Sequence, residues 1–295
     1  MKKFLALMLA LMMALSLVAC GNDAPPADDG ADAPDDAVVE NTYNTLTPGV
    51  LTVATSPDFA PYEFYVVDEN GEYQLAGFDM ALAQYIADYL GLQLEVIPMD
   101  FDGTLAELAA KTVDLSLAGY SPDPSRMDKM DFSEIYYTGG QSFVTVKANA
   151  DKFPSLEATN DPQWTIGAQN GSIQMDLANE NSSEADIVAL TKVTDIIAEL
   201  IAGKLDGAYI EWDVAVAYQA NYPELTIVCE VPYEAEGNVI GVAKGNADLL
   251  KYVNEALNKC VADGDFAQFV ANALEQAAGD NYQGMLDENG NVPNE

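Results

Sequence analysis

Residues 50–97, VLTVATSPDFAPYEFYVVDENGEYQLAGFDMALAQYIADYLGLQLEVI, decide the fold class. The segment opens with an apolar, β-branched run at 50–54, which predicts a strand. A second apolar run at 94–97 predicts another strand. Between them, apolar side chains recur at the spacing of a helix: Leu82, Tyr85, Ile86, Tyr89 and Leu90. A strand, a helix and a strand in this order indicate an α/β protein whose sheets are covered on both faces.

The same alternation continues along the chain and repeats in a second unit. Asp79 is expected to cap the first helix, and Thr194 is expected to cap a helix over 195–202. Beyond the N-terminal region, roughly 250 residues remain, which suffice for two modest domains. Further strands, with helices between them, are predicted at 113–118, 164–168, 206–210, 225–228 and 239–243.

The first twenty residues have the pattern of an export signal. Lys2 and Lys3 precede an apolar run that is too short to span a bilayer, so residues 1–19 are interpreted as a signal peptide. Residues 20–45 contain much Ala, Asp, Pro and Asn and few large apolar side chains. This composition predicts a disordered acidic tether. The folded part is therefore expected outside the cytoplasm.

The apolar run ends at Leu17-Val18-Ala19-Cys20, which resembles the lipobox of bacterial lipoproteins. The resemblance implies that Cys20 is acylated and anchors the mature chain to the membrane. The alternative is a soluble secreted protein whose cleavage site contains a cysteine by chance. The other two cysteines, Cys229 and Cys260, could form a disulfide outside the cell. We favour two unpaired thiols that pack as small apolar side chains.

The charged composition excludes several classes of function. The formal net charge is −36, which argues against nucleic-acid binding. The chain has no histidine, which excludes Ser-His-Asp and Cys-His catalysis and histidine-ligated metals. We expect no cofactor and no metal. Carboxylates are the plentiful acid and base groups that remain.

Arg126 is conspicuous because the chain contains eleven lysines and this single arginine. A guanidinium group is a planar fork that can donate two parallel hydrogen bonds to a carboxylate, which an ammonium group cannot do. A lone arginine in a protein that otherwise uses lysine therefore indicates a carboxylate site. The alternative is an incidental surface arginine that pairs with Asp123 or Asp128.

Four segments stand out: 53–64, Gly77-Phe78-Asp79, 114–121 with Arg126 and 131–133, and 241–245. Together they resemble the polar amino-acid family of periplasmic-type binding proteins, which includes the glutamine-, histidine- and lysine/arginine/ornithine-binding proteins. The family fold is type II, with two lobes, two hinge strands and a ligand cleft between the lobes. The resemblance implies a first lobe from 46–144 and 238–280, a second lobe over 145–237 and an irregular tail over 281–295.

The resemblance also implies how the backbone groups of an amino acid are bound. Arg126 aligns with the arginine that holds the ligand α-carboxylate, and Ser121 and Ser172 would complete that site. Glu211 aligns with the acidic residue that accepts the α-ammonium group, together with the Gly119 carbonyl. Most family members carry Asp at that position. Without a ligand role, Glu211 would be a solvated carboxylate at a helix start.

The side-chain end of the pocket is expected to be uncharged. Phe59 and Phe101 align with the aromatic pair that encloses the ligand side chain, although ordinary core packing is the alternative for both. Ser56 stands where relatives that bind glutamine or cationic side chains carry Asp, and Gln169 where the glutamine-binding protein carries Lys. We expect a polar neutral amino acid of glutamine size. A cationic ligand is the second choice, with a carboxylate supplied by Asp58, Glu63 or Asp100.

The predicted function is therefore binding without catalysis. The chain is expected to be a monomeric, lipid-anchored, extracytoplasmic protein that delivers a free L-amino acid to the permease and ATPase of an ABC importer. Two alternatives belong to other classes. A sensory ligand-binding domain would need a separate membrane protein, and a dehydratase-like enzyme would need a positioned acid or base.

Overall fold

The computed structural model describes residues 41–278 and the short strand at 282–283. The signal peptide, Cys20 and most of the predicted tether lie outside the described residues. Within the described part, no helix is both long enough and apolar enough to cross a membrane.

The described chain alternates strands and helices. The strands are β1 (Val50–Thr55), β2 (Asp58–Phe59), β3 (Glu63–Val67), β4 (Tyr73–Ala76), β5 (Gln93–Pro98), β6 (Leu115–Ser116), β7 (Met130–Phe132), β8 (Gln141–Val146), β9 (Thr165–Gln169), β10 (Asp186–Leu190), β11 (Gly207–Glu211), β12 (Leu225–Glu230), β13 (Gly241–Ala243) and β14 (Tyr282–Gln283). The helices are α1 (Phe78–Leu90), α2 (Phe101–Ala110), α3 (Ile173–Asn181), α4 (Val193–Ile201), α5 (Trp212–Asn221), α6 (Ala247–Asp263) and α7 (Asp265–Ala277). The predicted α/β class is confirmed.

Two five-stranded sheets form the centres of two lobes. The first has the order β5-β1-β6-β13-β7, and the second has the order β10-β9-β11-β8-β12. In each sheet three neighbouring strands are parallel, the fourth (β13 or β8) runs antiparallel to them, and the fifth (β7 or β12) pairs antiparallel with the fourth. Helices α1, α2, α6 and α7 belong to the first lobe, and α3, α4 and α5 to the second. Parallel strands bring their carboxyl ends to one edge of each sheet, where ligand sites commonly form.

The chain crosses between the lobes twice. It leaves the first sheet after β7 and enters the second at Gln141, then returns between Glu230 and Gly241. An antiparallel bridge between Tyr137 and Asn238 joins the two crossing segments. We call residues 133–140 and 231–240 the crossing segments.

A smaller sheet consists of four short strands. It has the order β14-β3-β2, and β4 pairs with β3 over Phe64–Val67, opposite β14. Strand β14 comes from the region that the sequence predicted to be an irregular tail. It pairs antiparallel with Tyr65 and Val66, because the backbone of β3 offers it a hydrogen-bonding edge that the tail sequence does not reveal.

The starts of α1 and α4 differ from the sequence predictions. Helix α1 begins with Gly77 at the N-cap, with no side-chain cap. Asp79 is instead buried and accepts from the Tyr136 hydroxyl at 2.7 Å and from the Gly119 N–H at 3.1 Å. Thr194 does not cap α4, which begins at Val193. Tertiary partners replace the local capping bonds that sequence patterns favour: donors bind Asp79, and the Asp58 carboxylate accepts from the Val193 N–H at the start of α4.

Cys229 and Cys260 are unpaired thiols in the structure. Cys260 is fully buried on the apolar face of α6, and Cys229 is partly buried in β12. Both therefore pack as small apolar side chains.

Candidate functional site

Arg126 lies at the end of a short 3-10 helix and reaches from the first lobe to the second. Its side chain is buried, and its Nη2 donates to the Gly171 carbonyl at 3.0 Å. Its Nε lies 3.3 Å from Asp123 Oδ2. The rings of Phe101 and Tyr120 each lie 5.9 Å from its Cζ. The ion pair with Asp123 exists, but the guanidinium is enclosed by aromatic rings and faces the opposite lobe instead of solvent.

The opposite wall at this point is the start of α3. Ser172 caps α3 by accepting from the Met175 N–H at 3.3 Å, and its hydroxyl donates to the Gln169 carbonyl at 2.7 Å. Its backbone N–H also donates to Gln169, at 3.3 Å. Ser121 is buried in the first lobe, five positions before Arg126. The Arg126 end of the cleft thus combines a guanidinium group with the positive end of a helix dipole.

Glu211 lies at the junction between β11 and α5 in the second lobe. Its Oε2 accepts from the Val214 N–H at 2.8 Å, which makes it the N-cap of α5. Its Oε1 accepts from the Tyr62 hydroxyl at 3.1 Å and from the Gly140 N–H at 3.3 Å. Burial and the neighbouring Asp213 carboxylate raise the pKa of Glu211 to about 8. Glu211 is therefore a buried carboxyl group that a cation would keep ionised.

Gly119 lies on the first lobe beside Phe59 and Tyr62. Its φ angle is +59°, a left-handed conformation that glycine adopts without strain. A Cβ atom there would lie 2.7 Å from the Phe59 ring. The Gly119 N–H donates to Asp79, and its carbonyl accepts from Asn238 Nδ2 at 3.0 Å. Backbone conformation and two buried side chains therefore fix the direction of this carbonyl.

The structure places Phe59 and Phe101 in separate apolar clusters. Phe59 packs against Tyr62 with ring centroids 5.3 Å apart, and Phe101 packs against Tyr120 with centroids 5.4 Å apart. Both rings are buried. The aromatic pair that would enclose a ligand side chain remains a prediction.

Asp58 accepts hydrogen bonds from Ser56 and Gln169, the two uncharged residues predicted at the side-chain end of the pocket. Ser56 Oγ donates to its Oδ1 at 3.0 Å, and Gln169 Nε2 lies 3.3 Å from its Oδ2. Oδ2 also accepts from the Val193 N–H at 2.5 Å, so a first-lobe carboxylate caps α4 of the second lobe. Burial raises the pKa of Asp58 to about 6. An ionisable carboxyl group therefore lies where the sequence predicted neutral side chains.

The two other carboxylates named from the sequence differ from Asp58. Glu63 is fully buried in β3, and burial and the nearby Asp79 hold its pKa well above the usual range. A carboxyl group in such surroundings stays neutral. Asp100 is only partly buried at the start of α2. Neither forms a hydrogen bond with Ser56 or Gln169 in the described part of the chain.

The walls of the cleft are in contact at several points. Asn170 Nδ2 donates to Asp102 Oδ2 at 2.8 Å, in addition to the pairs Arg126–Gly171, Asp58–Val193 and Tyr62–Glu211. These contacts connect side chains of one lobe with groups of the other, which is the arrangement of a closed cleft.

Sequence reasoning missed Tyr62 and Asn238, which link the Glu211 and Gly119 groups. Tyr62 belongs to the aromatic loop quoted for the resemblance, but nothing in its pattern distinguishes it from a core tyrosine. Asn238 was predicted only as the point where the chain returns to the first lobe. The signal available was its position at a crossing between lobes, since the structure buries it there.

Comparison with known proteins gives a consistent result. Residues 51–275 match the bacterial extracellular solute-binding proteins, family 3. The arginine-binding extracellular protein ArtP of Bacillus subtilis is 29% identical over 270 residues, which cover 90% of this chain and 95% of that protein. Cyclohexadienyl dehydratase of Pseudomonas aeruginosa is 29% identical over 183 residues, 62% of this chain and 67% of that enzyme.

A solved structure extends the likeness to three dimensions. AbpA, an amino acid ABC transporter substrate-binding protein of Streptococcus pneumoniae bound to L-arginine, matches with a TM-score of 0.75 and 30% identity, over 78% of this chain and 97% of that one. The predicted two-lobed periplasmic-binding-protein fold is confirmed. Because the sequence match runs from β1 to the last helix and includes both walls of the cleft, the chain belongs to family 3 of the bacterial extracellular solute-binding proteins.

Proposed function

We propose that this protein binds a free amino acid with a cationic side chain, of the arginine type, and delivers it to an ABC importer. One observation carries the proposal: a buried guanidinium group and two buried carboxyl groups lie on the facing walls of one cleft. These groups are Arg126, Glu211 and Asp58. Two of the relatives described above, ArtP and AbpA, are an arginine-binding protein and a protein bound to L-arginine.

The α-carboxylate belongs at Arg126. The Gly171 carbonyl oxygen now accepts from the guanidinium, so an oxygen acceptor suits this position. A carboxylate oxygen would be a stronger acceptor, because a charge-assisted bidentate pair exceeds a bond to a neutral carbonyl. Ser121 on one wall and Ser172 on the other would supply further polar contacts, as the family resemblance implies.

The α-ammonium group belongs at Glu211 and the Gly119 carbonyl. An ammonium group has three donors and no acceptor, so it needs oxygen atoms fixed in direction. A positive charge beside Glu211 offsets the cost of burying its carboxylate, which the raised pKa reflects.

Asp58 distinguishes the two ligand classes that the sequence left open. A glutamine-like side chain would face a buried carboxylate that offers only acceptors when ionised. A cationic side chain would neutralise it, and Ser56 and Gln169 would support the pair through hydrogen bonds. Counted together, the three ionised groups carry one net negative charge, and arginine carries one net positive charge. We therefore prefer the cationic class over the neutral class that sequence alone favoured.

The mechanism is conformational. A ligand held from both lobes stabilises the closed state, because it binds that state more tightly than the open one. The transporter would then recognise the closed protein. No bond is made or broken, and the protein is proposed to be a binding protein and not an enzyme.

Calorimetry on ligand-stripped protein tests this function. Arginine and lysine should bind at least tenfold more tightly than glutamine, a difference of about 1.4 kcal/mol or more. Glutamine binding tighter than both would contradict the cationic class. Mass spectrometry of the recovered amino acid should find it unchanged, and a chemical change would contradict binding without catalysis.

The lipid anchor is a separate part of the proposal and rests on Leu17-Val18-Ala19-Cys20. The wild-type protein should partition with membranes and carry lipid on Cys20, whereas Cys20→Ser should accumulate as precursor or be released. Mass spectrometry of the mature N-terminus checks this. A wholly soluble wild type without lipid would contradict it.

A further inference from the structure

A chain of hydrogen bonds links Glu211 to Gly119 through two buried side chains. The Tyr62 hydroxyl lies 3.1 Å from Glu211 Oε1 and 3.2 Å from Asn238 Oδ1. Asn238 Nδ2 then donates to the Gly119 carbonyl at 3.0 Å. Tyr62 and Asn238 are both buried. The chain therefore connects the two acceptors assigned to the ligand ammonium, one from each lobe.

The crossing segments bring these groups together. Asn238 forms the bridge with Tyr137 that joins the two segments. Gly139, in the other crossing segment, has no side chain, and a Cβ atom there would overlap Glu211 Oε1 and lie 2.6 Å from the Tyr62 hydroxyl oxygen. Tyr62 can therefore meet Glu211 only because position 139 is glycine.

We propose that Tyr62 and Asn238 are positioning residues that couple closure of the lobes to binding of the ligand α-ammonium group. The proposal rests on the function proposed above. Tyr62 and Glu211 belong to different lobes, so the bond between them links the two lobes in the closed arrangement. A phenol has one proton, which it can donate to Glu211 or to Asn238 but not to both. Because Asn238 uses its amide N–H on Gly119, its oxygen stays directed at Tyr62.

The groups around Glu211 make its pKa sensitive to the Tyr62 hydrogen bond. The titratable side chains that interact electrostatically with Glu211 are acidic or phenolic: Tyr62, Tyr136, Tyr137, Asp213 and Tyr233. The Tyr62 hydrogen bond lowers the pKa of Glu211, against burial and Asp213, which raise it to about 8. Removing the hydroxyl should therefore raise that pKa further and leave Glu211 protonated over a wider pH range.

The direction in which ligand affinity changes with pH follows from the ionisation of Glu211. An ammonium group binds the ionised carboxylate, so affinity should rise as the pH rises through the pKa of Glu211 in the free protein. Tyr62→Phe should move this rise to higher pH. Tyr209→Phe is the matched control: Tyr209 is also buried and lies in β11 two positions before Glu211, but its hydroxyl bonds to Ser182 and Thr159 and to none of these groups.

The deciding experiment is a calorimetric cycle with two ligands at pH 6, 7 and 8. The ligands are L-arginine and 5-guanidinopentanoic acid, which is arginine without its α-amino group. Tyr62→Phe should weaken arginine binding at least tenfold at pH 7 and change binding of the analogue less than threefold. Asn238→Ser should show the same pattern more weakly. Tyr209→Phe should keep wild-type affinity and the wild-type pH profile.

Three results would overturn the proposal. Equal losses for both ligands in Tyr62→Phe, or an unchanged pH profile, would refute the coupling while the proposed function stands. Wild type that binds neither compound would refute the proposed function and with it the coupling.

Discussion

The two ends of the cleft are built in different ways. At the Arg126 end, the charged residue pairs with Asp123 three positions away, and α3 is capped by its own Ser172. At the Asp58 end, the carboxylate contacts Gln169 and Val193, which are 111 and 135 positions away, and caps a helix of the other lobe. These contacts at the Arg126 end therefore join residues that are close together in the sequence. The Asp58 end exists only when both lobes are folded and in contact.

This difference has a functional consequence. On the proposed function, Arg126 recognises a group that every amino acid carries. Of its contacts, Asp123, Phe101 and Tyr120 belong to the first lobe and Gly171 to the second. Asp58 and Glu211 each engage a residue of the opposite lobe. Selection of the side chain is therefore tied to closure of the cleft.

Arg126→Ala should abolish detectable binding of every amino acid. Removing one partner of a desolvated charge pair costs about 2–5 kcal/mol. Arg126→Lys should also bind poorly, because an ammonium group lacks the planar fork. Calorimetry checks both variants, with Asp128→Asn as a control, since Asp128 is exposed two positions away. Wild-type affinity in Arg126→Ala would show that the carboxylate is bound elsewhere.

Gly139→Ala should impair the Glu211 end and leave the Arg126 end intact. The added methyl group would displace Glu211 or Tyr62, and overpacking of this kind costs about 1–3 kcal/mol. Arginine affinity should fall at least tenfold. Gly103→Ala is the control, because its nearest neighbour, the Met99 sulfur, lies 3.4 Å from the added Cβ and alanine suits a helix. Equal affinities of the two variants would contradict the assignment.

Asp58 should make stability depend on pH. Its pKa is raised from 3.8 to about 6 in the folded protein. The folded state therefore holds this proton more tightly than the unfolded state, so the stabilising contribution is full below 3.8 and is lost as the pH rises through 6. Relative to Asp58→Asn, the ligand-free wild type should lose roughly 2 kcal/mol between pH 4 and pH 7. Urea unfolding at both pH values measures this, and a constant difference would contradict it.

Substitutions at the starts of α3 and α4 should change the free energy of unfolding by different amounts. Ser172→Ala should lower the free energy of unfolding by about 1 kcal/mol, because it removes a local cap. Thr194→Val should have almost no effect or stabilise slightly, since the buried Thr194 hydroxyl has no hydrogen-bond partner among the described residues. Urea unfolding curves at pH 7 compare the two. A larger loss in Thr194→Val would show that Thr194 supports α4 after all.

The contrast between the two ends also explains what sequence could predict. Arg126 could be identified because it is the single arginine of the chain and guanidinium chemistry is distinctive. The alternating strands and helices follow from hydrophobic periodicity, which is a local property. Asp58 could not be assigned, because its partners come from a distant part of the chain. For the same reason, Asp79 and Thr194 were wrongly predicted as helix caps: local patterns do not reveal tertiary donors and acceptors.

The most direct test of the account is the ligand preference of Asp58→Asn, measured by calorimetry on ligand-stripped protein at pH 7. We predict that wild type prefers arginine over glutamine at least tenfold, and that Asp58→Asn loses this preference through weaker arginine binding while Asp128→Asn keeps it. An Asp58→Asn protein that still prefers arginine as strongly as wild type would contradict the claim that Asp58 selects a cationic ligand.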